Sequence, residues 1–414
     1  MSKGIVVQKY GGTSVADVNR IQNVAKRIVK TRKEGYDVVA VVSALGDTTD
    51  KLIELAHEIT SHPSERELDM LMSTGEQVSC ALLAMAIHRL GQDAISCTGA
   101  QVGIITDSSF TKARIIDINA RRIEKELSGG KIVIVAGFQG VSVNQDITTL
   151  GRGGSNLTAV ALAKVLRAKV CEMYTDVEGV FTTDPRIVKD ARKIDSISYE
   201  EMFELASLGA QVLQPRSIEF AMKFGVPIHV RSSFLNKQGT IISKEVDTME
   251  DIVVSGVAIN KDEAKITVCD VPDKPGIAAT IFKEIAKENV NVDMIIQNVS
   301  RTGATDMSFT VLGGDLNKAM KVSRDVARKV GAGDVILDKD IAKVSVVGIG
   351  MRSHSGVAAK MFEALAAKKI NIEMISTSEI KISCVVKKER GEDAVRAIHA
   401  KFGLGKKRRL PQIS

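Results

Sequence analysis

The sequence predicts an α/β protein: a mostly parallel sheet covered by helices on both faces, followed by two smaller modules that repeat each other. Short β-branched runs alternate with helix-period stretches over the first 245 or so residues, and an internal repeat fills most of the rest. The 414 residues are also too many for one compact core. Apolar residues make up 44% and charged residues 26% of the chain, a balance that excludes disordered and collagen-like proteins.

The first domain alternates predicted strands and helices. Its strands are predicted at residues 5–7, 38–42, 132–136, 170–174 and 226–230. Its clearest helices are predicted at residues 18–30, 65–90, 120–127 and 157–166. Near-continuous apolar strands separated by helices indicate a parallel sheet that is buried on both faces. Glycine-containing turns follow several strands, which is where α/β folds place their ligands.

An internal repeat follows a turn and a charged stretch near residues 235–262. The first copy contains Ala264-Lys265-Ile266-Thr267-Val268, Gly276-Ile277-Ala278-Ala279, Phe282 and Asn291-Val292-Asp293-Met294-Ile295. The second copy contains the matching Ala342-Lys343-Val344-Ser345-Val346, Gly356-Val357-Ala358-Ala359, Phe362 and Asn371-Ile372-Glu373-Met374-Ile375. Each copy is predicted to run strand, glycine-led helix, strand, strand, which suggests two ferredoxin-like βαββαβ modules. The predicted domains are residues 1–245, a linker at 246–262, and modules at 263–338 and 339–414.

The ends of the chain and its cysteines lead us to expect a cytoplasmic protein. The sequence has no recognisable signal peptide and no run of about 18 uninterrupted apolar residues. The five cysteines form no CxxC pair, which predicts buried free thiols and no metal site. The net charge of +7 includes Lys406-Lys407-Arg408-Arg409, which is more typical of a solvated tail than of a nucleic-acid-binding arm. We therefore expect neither a nucleic-acid nor a membrane partner.

Two glycine-rich loops are the first candidates for anion binding. They are Lys9-Tyr10-Gly11-Gly12-Thr13-Ser14 and Gly151-Arg152-Gly153-Gly154-Ser155-Asn156. N–H groups at a helix start bind anions, and each loop adds one full positive charge. The alternative is a pair of ordinary turns beside solvated side chains.

Serines in both loops are expected to cap the helices that follow. Ser14 and Asp17 have the spacing of a capping box, and Ser155 is expected at an N-cap. Neither loop is a Walker A motif, and Gly348-Ile349-Gly350 lacks the third glycine of a dinucleotide fingerprint. P-loop and Rossmann nucleotide sites therefore lose support.

Several ordered motifs match one known family over essentially the full chain. They are Lys9-Tyr10-Gly11-Gly12-Thr13-Ser14-Val15, Val42-Ser43-Ala44-Leu45-Gly46, Ser73-Thr74-Gly75-Glu76, Gly151-Arg152-Gly153-Gly154-Ser155, Tyr174-Thr175-Asp176-Val177-Glu178-Gly179-Val180 and Thr183-Asp184-Pro185-Arg186. With these motifs the chain resembles the aspartate kinases of the amino acid kinase family, and its repeats resemble tandem amino-acid-sensing ACT domains. The resemblance implies ATP-dependent phosphorylation of the β-carboxylate of L-aspartate, the first step towards lysine, threonine, methionine and isoleucine. It also implies Mg²⁺ that arrives with ATP and is held largely by the phosphates.

Carboxylate phosphorylation suits the residue types in these motifs. A carboxylate with a pKa near 4 is already ionised at pH 7, so that the reaction needs no general base. Catalysis then consists of positioning and charge neutralisation during phosphoryl transfer. This explains motifs rich in Lys, Arg and Gly without a His or Cys nucleophile.

The resemblance also implies roles for individual residues. The catalytic residues would be Lys9, Gly11, Gly12 and Arg152. The aspartate-binding residues would be Ser43, Thr49, Glu76, Arg152, Gly153, Gly154 and Ser155, with Glu76 taking the ammonium group. The ATP-binding residues would be Lys9, Tyr10, Gly11, Gly12, Thr175, Asp176, Phe181, Asp184 and Arg186. From the residues alone, Glu76 would be a solvated helix charge, and Asp176 and Asp184 would be turn caps.

One position departs from the family pattern. Many aspartate kinases carry Asp after Arg-Gly-Gly-Ser, and here the residue is Asn156. Because Asn cannot pair with an ammonium group as a charge, we expect part of the amino-group site to be weakened or replaced. Two rivals remain: a kinase for glutamate or N-acetylglutamate, and an amino-acid sensor with an inactive kinase domain. The paired repeats and Glu76 count against the first, and the intact Lys9 and Arg152 against the second.

For the repeats, the resemblance implies feedback inhibition by lysine, threonine or both. The effector residues of the first module would be Lys274, Pro275, Gly276, Ile277, Ala278, Ala279, Asn291, Val292, Asp293 and Gln297. Those of the second would be Val357, Ala358, Asn371, Ile372 and Ser378, unless that copy is purely structural. We expect a homo-oligomer formed through ACT pairing. Met249 could start a regulatory subunit of an α2β2 assembly, although an ordinary linker methionine is equally compatible.

Overall fold

The computed structural model describes residues 2–210, 212–244, 253–298 and 303–405, so that Met249 and the basic run at 406–409 lie outside the described residues. The chain forms two compact units. The first comprises the described residues of Met1–Phe181, Lys193–Ser207 and Gln211–Thr248, and the second those of Thr182–Arg192, Leu208–Ala210 and Met249–Ser414. Two short segments from within the predicted kinase domain therefore belong to the second unit.

The first unit is built on twelve strands in its described residues. They are β1 (Ile5–Tyr10), β2 (Asp37–Val42), β3 (Ala94–Cys97), β4 (Ile104–Thr106), β5 (Ile115–Ile118), β6 (Ile132–Ala136), β7 (Gln139–Ser142), β8 (Ile147–Thr149), β9 (Val170–Thr175), β10 (Ser196–Ser198), β11 (Ile228–Ser232) and β12 (Thr240–Ser243). The main sheet has the order β10-β12-β11-β9-β1-β2-β6-β3, with only the β11–β12 pair antiparallel. A smaller sheet has the order β5-β4-β7-β8. The predicted, mostly parallel sheet is confirmed, because its Val- and Ile-rich strands are buried on both faces.

Seven helices accompany these strands. They are α1 (Val18–Lys33), α2 (Thr48–Ile59), α3 (Glu65–Arg89), α4 (Arg121–Ser128), α5 (Gly154–Val165), α6 (Tyr199–Ser207) and α7 (Pro215–Phe224). α1 and α3 share a core with the main sheet that includes Ile28, Leu83 and Ile134. The capping box predicted for Ser14 and Asp17 is wrong. Ser14 lies in the 3-10 turn Gly12–Val15, and Asp17 itself caps α1 by accepting a bond from the Arg20 N–H at 2.9 Å.

Among the described residues, α3 alone is long and apolar enough to cross a membrane by length and composition. Half of its apolar window is buried within the protein, so its composition reflects the core into which it packs. It also carries two buried carboxyl groups, Asp69 and Glu76. Both belong to the surroundings of the site described below.

The second unit contains two four-stranded sheets. Its strands are β13 (Gly256–Asn260), β14 (Glu263–Pro272), β15 (Val292–Gln297), β16 (Ala304–Leu312), β17 (Val335–Asp338), β18 (Ile341–Val347), β19 (Met374–Thr377) and β20 (Lys381–Lys387). Its helices are α8 (Ile277–Lys287), α9 (Leu316–Val330), α10 (Val357–Ala367) and α11 (Gly391–Phe402). The first module has the antiparallel order β15-β16-β14-β17, which is that of a ferredoxin-like fold.

The second module takes its outer strand from outside its own repeat. Its sheet has the order β13-β18-β20-β19, and β13 lies within the predicted linker 246–262. β13 pairs antiparallel with β18, from Gly256 opposite Val347 to Asn260 opposite Lys343. The apolar side chain of Val257 joins the core of this module, and β13 covers an edge that β18 would otherwise expose.

A short segment from within the predicted kinase domain, Thr182–Arg192, packs on the second module. Val188 belongs to the core of that module, and the Thr182 hydroxyl lies 3.0 Å from Nε2 of His399 on α11. The backbone N–H of Val257 donates to the carbonyl of Thr182 at 2.7 Å. Nothing in the periodicity of the sequence distinguishes this segment from its neighbours.

All five cysteines are free thiols. Cys80, Cys97, Cys171 and Cys384 are buried, as predicted. Cys269 is only half-buried, because it lies in β14 where the register shifts between Val268 and Val271.

Candidate active site

A cavity of about 750 Å³ opens at the carboxyl ends of β1, β2 and β9. It brings together nine of the residues named from the sequence: Lys9, Ser43, Thr49, Glu76, Arg152, Gly153, Gly154, Ser155 and Thr175. A smaller cavity of about 60 Å³ is lined by Lys9, Gly11, Asn156, Thr175 and Asp176 among others. Lys9, Asn156 and Thr175 line both cavities, so the two adjoin. The carboxyl ends of parallel strands meet at one edge of the sheet, which is the usual place for a ligand in such folds.

Lys9 provides a positive charge where the two cavities meet. It lies near the end of β1 between Gln8 and Tyr10, whose side chains are buried on the opposite face. Burial lowers the pKa of the Lys9 ammonium group to about 8. A Cβ atom at Gly11 would lie 3.4 Å from the Lys9 Nζ atom, so glycine leaves that ammonium group accessible.

Gly12 allows two turns to approach each other closely. A Cβ atom at this position would lie 2.8 Å from the carbonyl oxygen of Gly46 and 3.0 Å from that of Ala44. The Gly46 N–H donates to the Gly12 carbonyl at 3.1 Å. A side chain at residue 12 would therefore separate the turn after β1 from the turn after β2, which carries Ser43.

Glu76 reaches the cavity from α3. The side chain is buried, and its Oε1 atom accepts a hydrogen bond from the Ala44 N–H at 3.1 Å. Within the described part of the chain, its Oε2 atom is buried without a hydrogen-bond partner. Burial raises the pKa of this carboxyl group to about 7. An unpaired acceptor of this kind suits a ligand that brings its own donor, such as an ammonium group.

The Arg152 loop leads directly into α5. Gly151 and Gly153 both have positive φ angles, of 76° and 74°. The N-cap of α5 is Gly153 and not Ser155, because the left-handed backbone at Gly153 already starts the helix at Gly154. Ser155 lies in the first turn, where its side chain packs against Gly137. A Cβ atom at Gly137 would lie 2.8 Å from the Ser155 Oγ atom. The arrangement points an exposed cation and a helix start towards the same cavity.

The residues predicted to bind ATP are distributed over several places. Tyr10 is fully buried, stacks on Tyr174 with ring centroids 4.7 Å apart, and lines neither cavity. Phe181 pairs with Lys193 in an isolated bridge of the first unit. Asp184 and Arg186 belong to the second unit and form an ion pair at 2.7 Å, which lowers the pKa of the Asp184 carboxyl group.

The sequence reasoning missed residues at the start of α7. Gln214 and Pro215 line the larger cavity. A Cβ atom at Gly153 would lie 1.8 Å from the Gln214 Cγ atom, so the Gln214 side chain fills the space that a larger residue 153 would need. Proline at the first helical position was the available signal for a helix start here. Among the described residues, no group of three or more His, Cys, Asp or Glu side chains could hold a metal ion.

The effector residues named for the first module surround the start of α8 and β15. Gly276 has a φ of 91° and is the N-cap of α8, preceded by Lys274 and Pro275. Ile277, Ala278 and Ala279 form the first turn of that helix, and Asn291, Val292, Asp293 and Gln297 lie just before or within β15. The Asp293 carboxylate is paired with Lys343, a buried side chain that also pairs with buried Glu263.

The residues named for the second module occupy the equivalent positions. Val357 and Ala358 begin α10, Asn371 and Ile372 precede β19, and Ser378 follows it. Here Glu373, the repeat equivalent of Asp293, pairs with Lys265, the repeat equivalent of Lys343. The two modules therefore exchange reciprocal ion pairs, and Met294, Ile341, Met374 and Val385 form an apolar cluster between them.

Comparison with protein families gives three matches. The amino acid kinase family matches residues 4–232, and ACT domains match residues 265–322 and 344–402. An aspartate kinase of Stutzerimonas stutzeri is 54% identical over 401 residues, which are 97% of this chain and 97% of that protein.

Two solved structures of one enzyme are similar over almost the whole chain. E. coli aspartokinase III in complex with aspartate and ADP, in the R-state, has a TM-score of 0.81 and 26% identity, over 96% of this chain and 99% of that one. The same enzyme in complex with lysine and aspartate, in the T-state, has a TM-score of 0.75 and 26% identity, over 96% and 99% of the two chains.

Proposed function

We propose a substrate geometry and a mode of regulation for this chain, which belongs to the aspartate kinases of the amino acid kinase family. As an aspartate kinase, it transfers a phosphoryl group to L-aspartate. The acceptor is the β-carboxylate, the donor is ATP, and the larger cavity holds aspartate. The observation that supports this most directly is that Lys9, Glu76 and Arg152, from three separate parts of the sequence, line that one cavity.

The ammonium group and a carboxylate of aspartate each meet a side chain of opposite charge. The buried Oε2 atom of Glu76 accepts from the ammonium group, and Arg152 pairs with a carboxylate of the substrate. Ser43, Thr49, Gly153, Gly154 and Ser155 supply further contacts in the same cavity. The β-carboxylate then attacks the γ-phosphorus of ATP, the bond from that phosphorus to the β–γ bridging oxygen breaks, and ADP leaves. No general base is needed, because the carboxylate is already ionised.

Lys9 neutralises charge on the phosphoryl group as it moves between donor and acceptor. Its position between the two cavities suits this role, since the smaller one is lined by Gly11, Thr175 and Asp176 of the proposed nucleotide site. Within the first unit, Tyr10, Gly12 and Phe181 complete that site. The E. coli relative was solved with ADP.

Mg²⁺ would enter with ATP and would be held mainly by its phosphate oxygens. The Asp176 carboxylate, which lines the smaller cavity, would supply an oxygen ligand to such an ion. The ion would add positive charge beside that of Lys9.

The paired ACT modules make the enzyme subject to feedback inhibition by lysine, threonine or both. The helix starts at Gly276 and Gly356 suit an α-carboxylate, and Asp293 suits an ammonium group. The E. coli relative in complex with lysine supports an amino-acid effector. Inhibition of this kind fits a first step towards lysine, threonine, methionine and diaminopimelate.

Assembly is proposed to involve ACT pairing in a homo-oligomer, within the cytoplasm. If Met249 starts a second polypeptide, an α2β2 assembly results. Mass spectrometry of the purified protein, with a search for a species that begins at Met249, distinguishes the homo-oligomer from the α2β2 assembly.

Hydroxylamine trapping tests the proposed activity. The protein is incubated with ATP, Mg²⁺ and aspartate, glutamate or N-acetylglutamate, and the acyl phosphate is captured as a hydroxamate. We expect aspartyl hydroxamate alone. A glutamyl product would indicate the kinase rival, and absence of every product would indicate a sensor with an inactive kinase domain.

A further inference from the structure

The loop that carries Arg152 is held by a carboxylate that does not line either cavity. Asp69 of α3 is fully buried. It accepts hydrogen bonds from the Thr149 N–H at 2.9 Å and from the Thr149 hydroxyl at 2.6 Å. Thr149 ends β8, three residues before Arg152 in the sequence. The helix that carries Glu76 is thus bonded to the strand that leads into the Arg152 loop.

The same carboxylate fixes a second backbone segment beside this loop. The Thr111 N–H donates to both oxygens of Asp69, at 3.1 and 3.0 Å. A Cβ atom at Gly151 would lie 3.1 Å from the carbonyl oxygen of Thr111, so the two backbones are in close contact. Three donors from two segments converge on Asp69, which accounts for a charged side chain in a fully buried position.

Arg216 of α7 holds the loop from another element. Its Nη1 atom donates to the Leu150 carbonyl at 2.9 Å, and its Nη2 atom donates to the Ala113 carbonyl at 2.9 Å. The planar guanidinium group suits two carbonyl oxygens in one plane better than an ammonium group does. Leu150 lies directly between Thr149 and Gly151, so consecutive residues of this segment are bonded to α3 and to α7.

We propose that Asp69 and Arg216 are positioning residues for aspartate binding. They fix the backbone of residues 149–151 between α3 and α7, and thereby set where the Arg152 guanidinium group meets the substrate carboxylate. This inference rests on the proposed role of Arg152 in aspartate binding. Neither residue touches the substrate, since neither lines the cavity.

Asp69→Asn and Arg216→Lys test the proposal by steady-state kinetics on the full-length enzyme. The Asn side chain replaces one carboxylate oxygen, which accepts from the Thr149 and Thr111 N–H groups, by an NH₂ group that donates. The Lys ammonium group cannot donate to the Leu150 and Ala113 carbonyls at once in the way that the planar guanidinium group does. We expect the KM for aspartate to rise about tenfold or more in each variant, while the KM for ATP stays unchanged. A proportional rise of both KM values, or no rise, would overturn the proposal.

Two further variants separate positioning from general destabilisation. Thr149→Val removes only the 2.6 Å bond to Asp69 and is expected to raise the aspartate KM by a smaller factor. Glu201→Gln is the matched control, because Glu201 of α6 is another buried carboxyl group of this unit. It is bonded to Ser198 at the end of β10 and lines neither cavity. It is expected to leave the aspartate KM unchanged, and an equal rise there would overturn the proposal.

A double-mutant cycle with Arg152→Gln links the effect to Arg152, with aspartate affinity measured by calorimetry. We expect Arg152→Gln to weaken aspartate binding, and Asp69→Asn to add nothing further in that background. If Arg152→Gln leaves affinity unchanged, the proposed role of Arg152 is wrong. A different result is that Arg152→Gln weakens aspartate binding, and Asp69→Asn weakens it by the same factor in the wild-type and in the Arg152→Gln protein. Asp69 would then not act through Arg152, and only the positioning proposal would be overturned.

Discussion

The Oε1 atom of Glu76 accepts a hydrogen bond from the backbone N–H of Ala44 at 3.1 Å, which fixes the carboxyl group at the base of the larger cavity. The same carboxyl group is buried, and burial raises its pKa to about 7. The proposed ammonium-binding group therefore changes its charge close to neutral pH.

The affinity for aspartate is expected to increase as the pH rises through about 7. Below that pH the Glu76 carboxyl group is largely protonated and neutral, and above it the carboxylate can pair with the substrate ammonium group. The KM for aspartate should therefore fall between about pH 6 and about pH 8 and then level off. Glu76→Gln should raise the KM and remove this pH dependence. A Gln variant that keeps the dependence would assign it to another group.

Lys9 is expected to control kcat at alkaline pH. Burial lowers the pKa of its ammonium group to about 8, so that a rise in pH through this value removes the charge that the phosphoryl group requires. Lys9→Met should lower kcat by about 10²- to 10³-fold, as loss of one electrostatic stabiliser typically does. The measurement is kcat against pH at saturating substrates.

Lys9→Arg is the control for this assignment. Arg stays charged throughout the pH range of the assay. If the residual kcat of this variant still falls near pH 8, the ionisation of Lys9 is not the cause.

Local sequence patterns predicted the sheet and much of the cavity. Runs of Val and Ile mark strands β2 and β6, because a strand buried on both faces is apolar at every position. Gly12 and Gly153 lie in glycine-rich turns that follow strands β1 and β8, where the residue type itself indicates unusual backbone freedom. Features of this kind depend on the residue itself and on its neighbours in the chain.

Other features depend on contacts that no local pattern encodes. The start of α5 at Gly154 follows from the left-handed backbone at Gly153, against which Gln214 packs from a distant part of the chain. β13 lies in what reads as a linker, yet it completes the sheet of the second module. Asp69 is one charged residue within the predicted helix at 65–90, and its bonds to the distant Thr111 and Thr149 make it a core residue. The sequence separations explain why these features were missed.

Asn156→Asp is expected to lower the KM for aspartate more than the KM for ATP. Asn156 is buried and lines both cavities in the first turn of α5. A carboxylate there adds a charged partner for the ammonium group, and the helix start stabilises that charge. Steady-state kinetics with each substrate varied in turn measure the difference.

Asn144→Asp is the matched control, because it adds the same charge at an exposed turn between β7 and β8. It should change neither KM. A change confined to ATP in the Asn156 variant would place residue 156 in the nucleotide site instead.

Asp293 and Glu373 are expected to differ in their effect on feedback inhibition, although they are equivalent in the two repeats. The Asp293 side chain is 45% exposed and pairs with Lys343, whereas the Glu373 side chain is 13% exposed and pairs with both Lys265 and Lys387. Only Asp293 therefore keeps surface for the ammonium group of an effector. Asp293→Asn should weaken inhibition by lysine or threonine without unfolding the module, because Lys343 remains paired with Glu263.

Glu373→Gln is the matched variant for this comparison. It removes one of the two carboxylates that Lys265 and Lys387 share, so that both keep only Asp338, and it should lower the melting temperature while inhibition stays intact. The measurements are inhibition curves for lysine and threonine, alone and together, with thermal unfolding of each variant. If Asp293→Asn leaves inhibition by every effector unchanged, Asp293 does not bind the effector. If both variants lose inhibition equally, loss of either ion pair between the modules is sufficient to abolish it. The ion pairs, and not the exposed carboxylate of Asp293, would then transmit the effect of the amino acid.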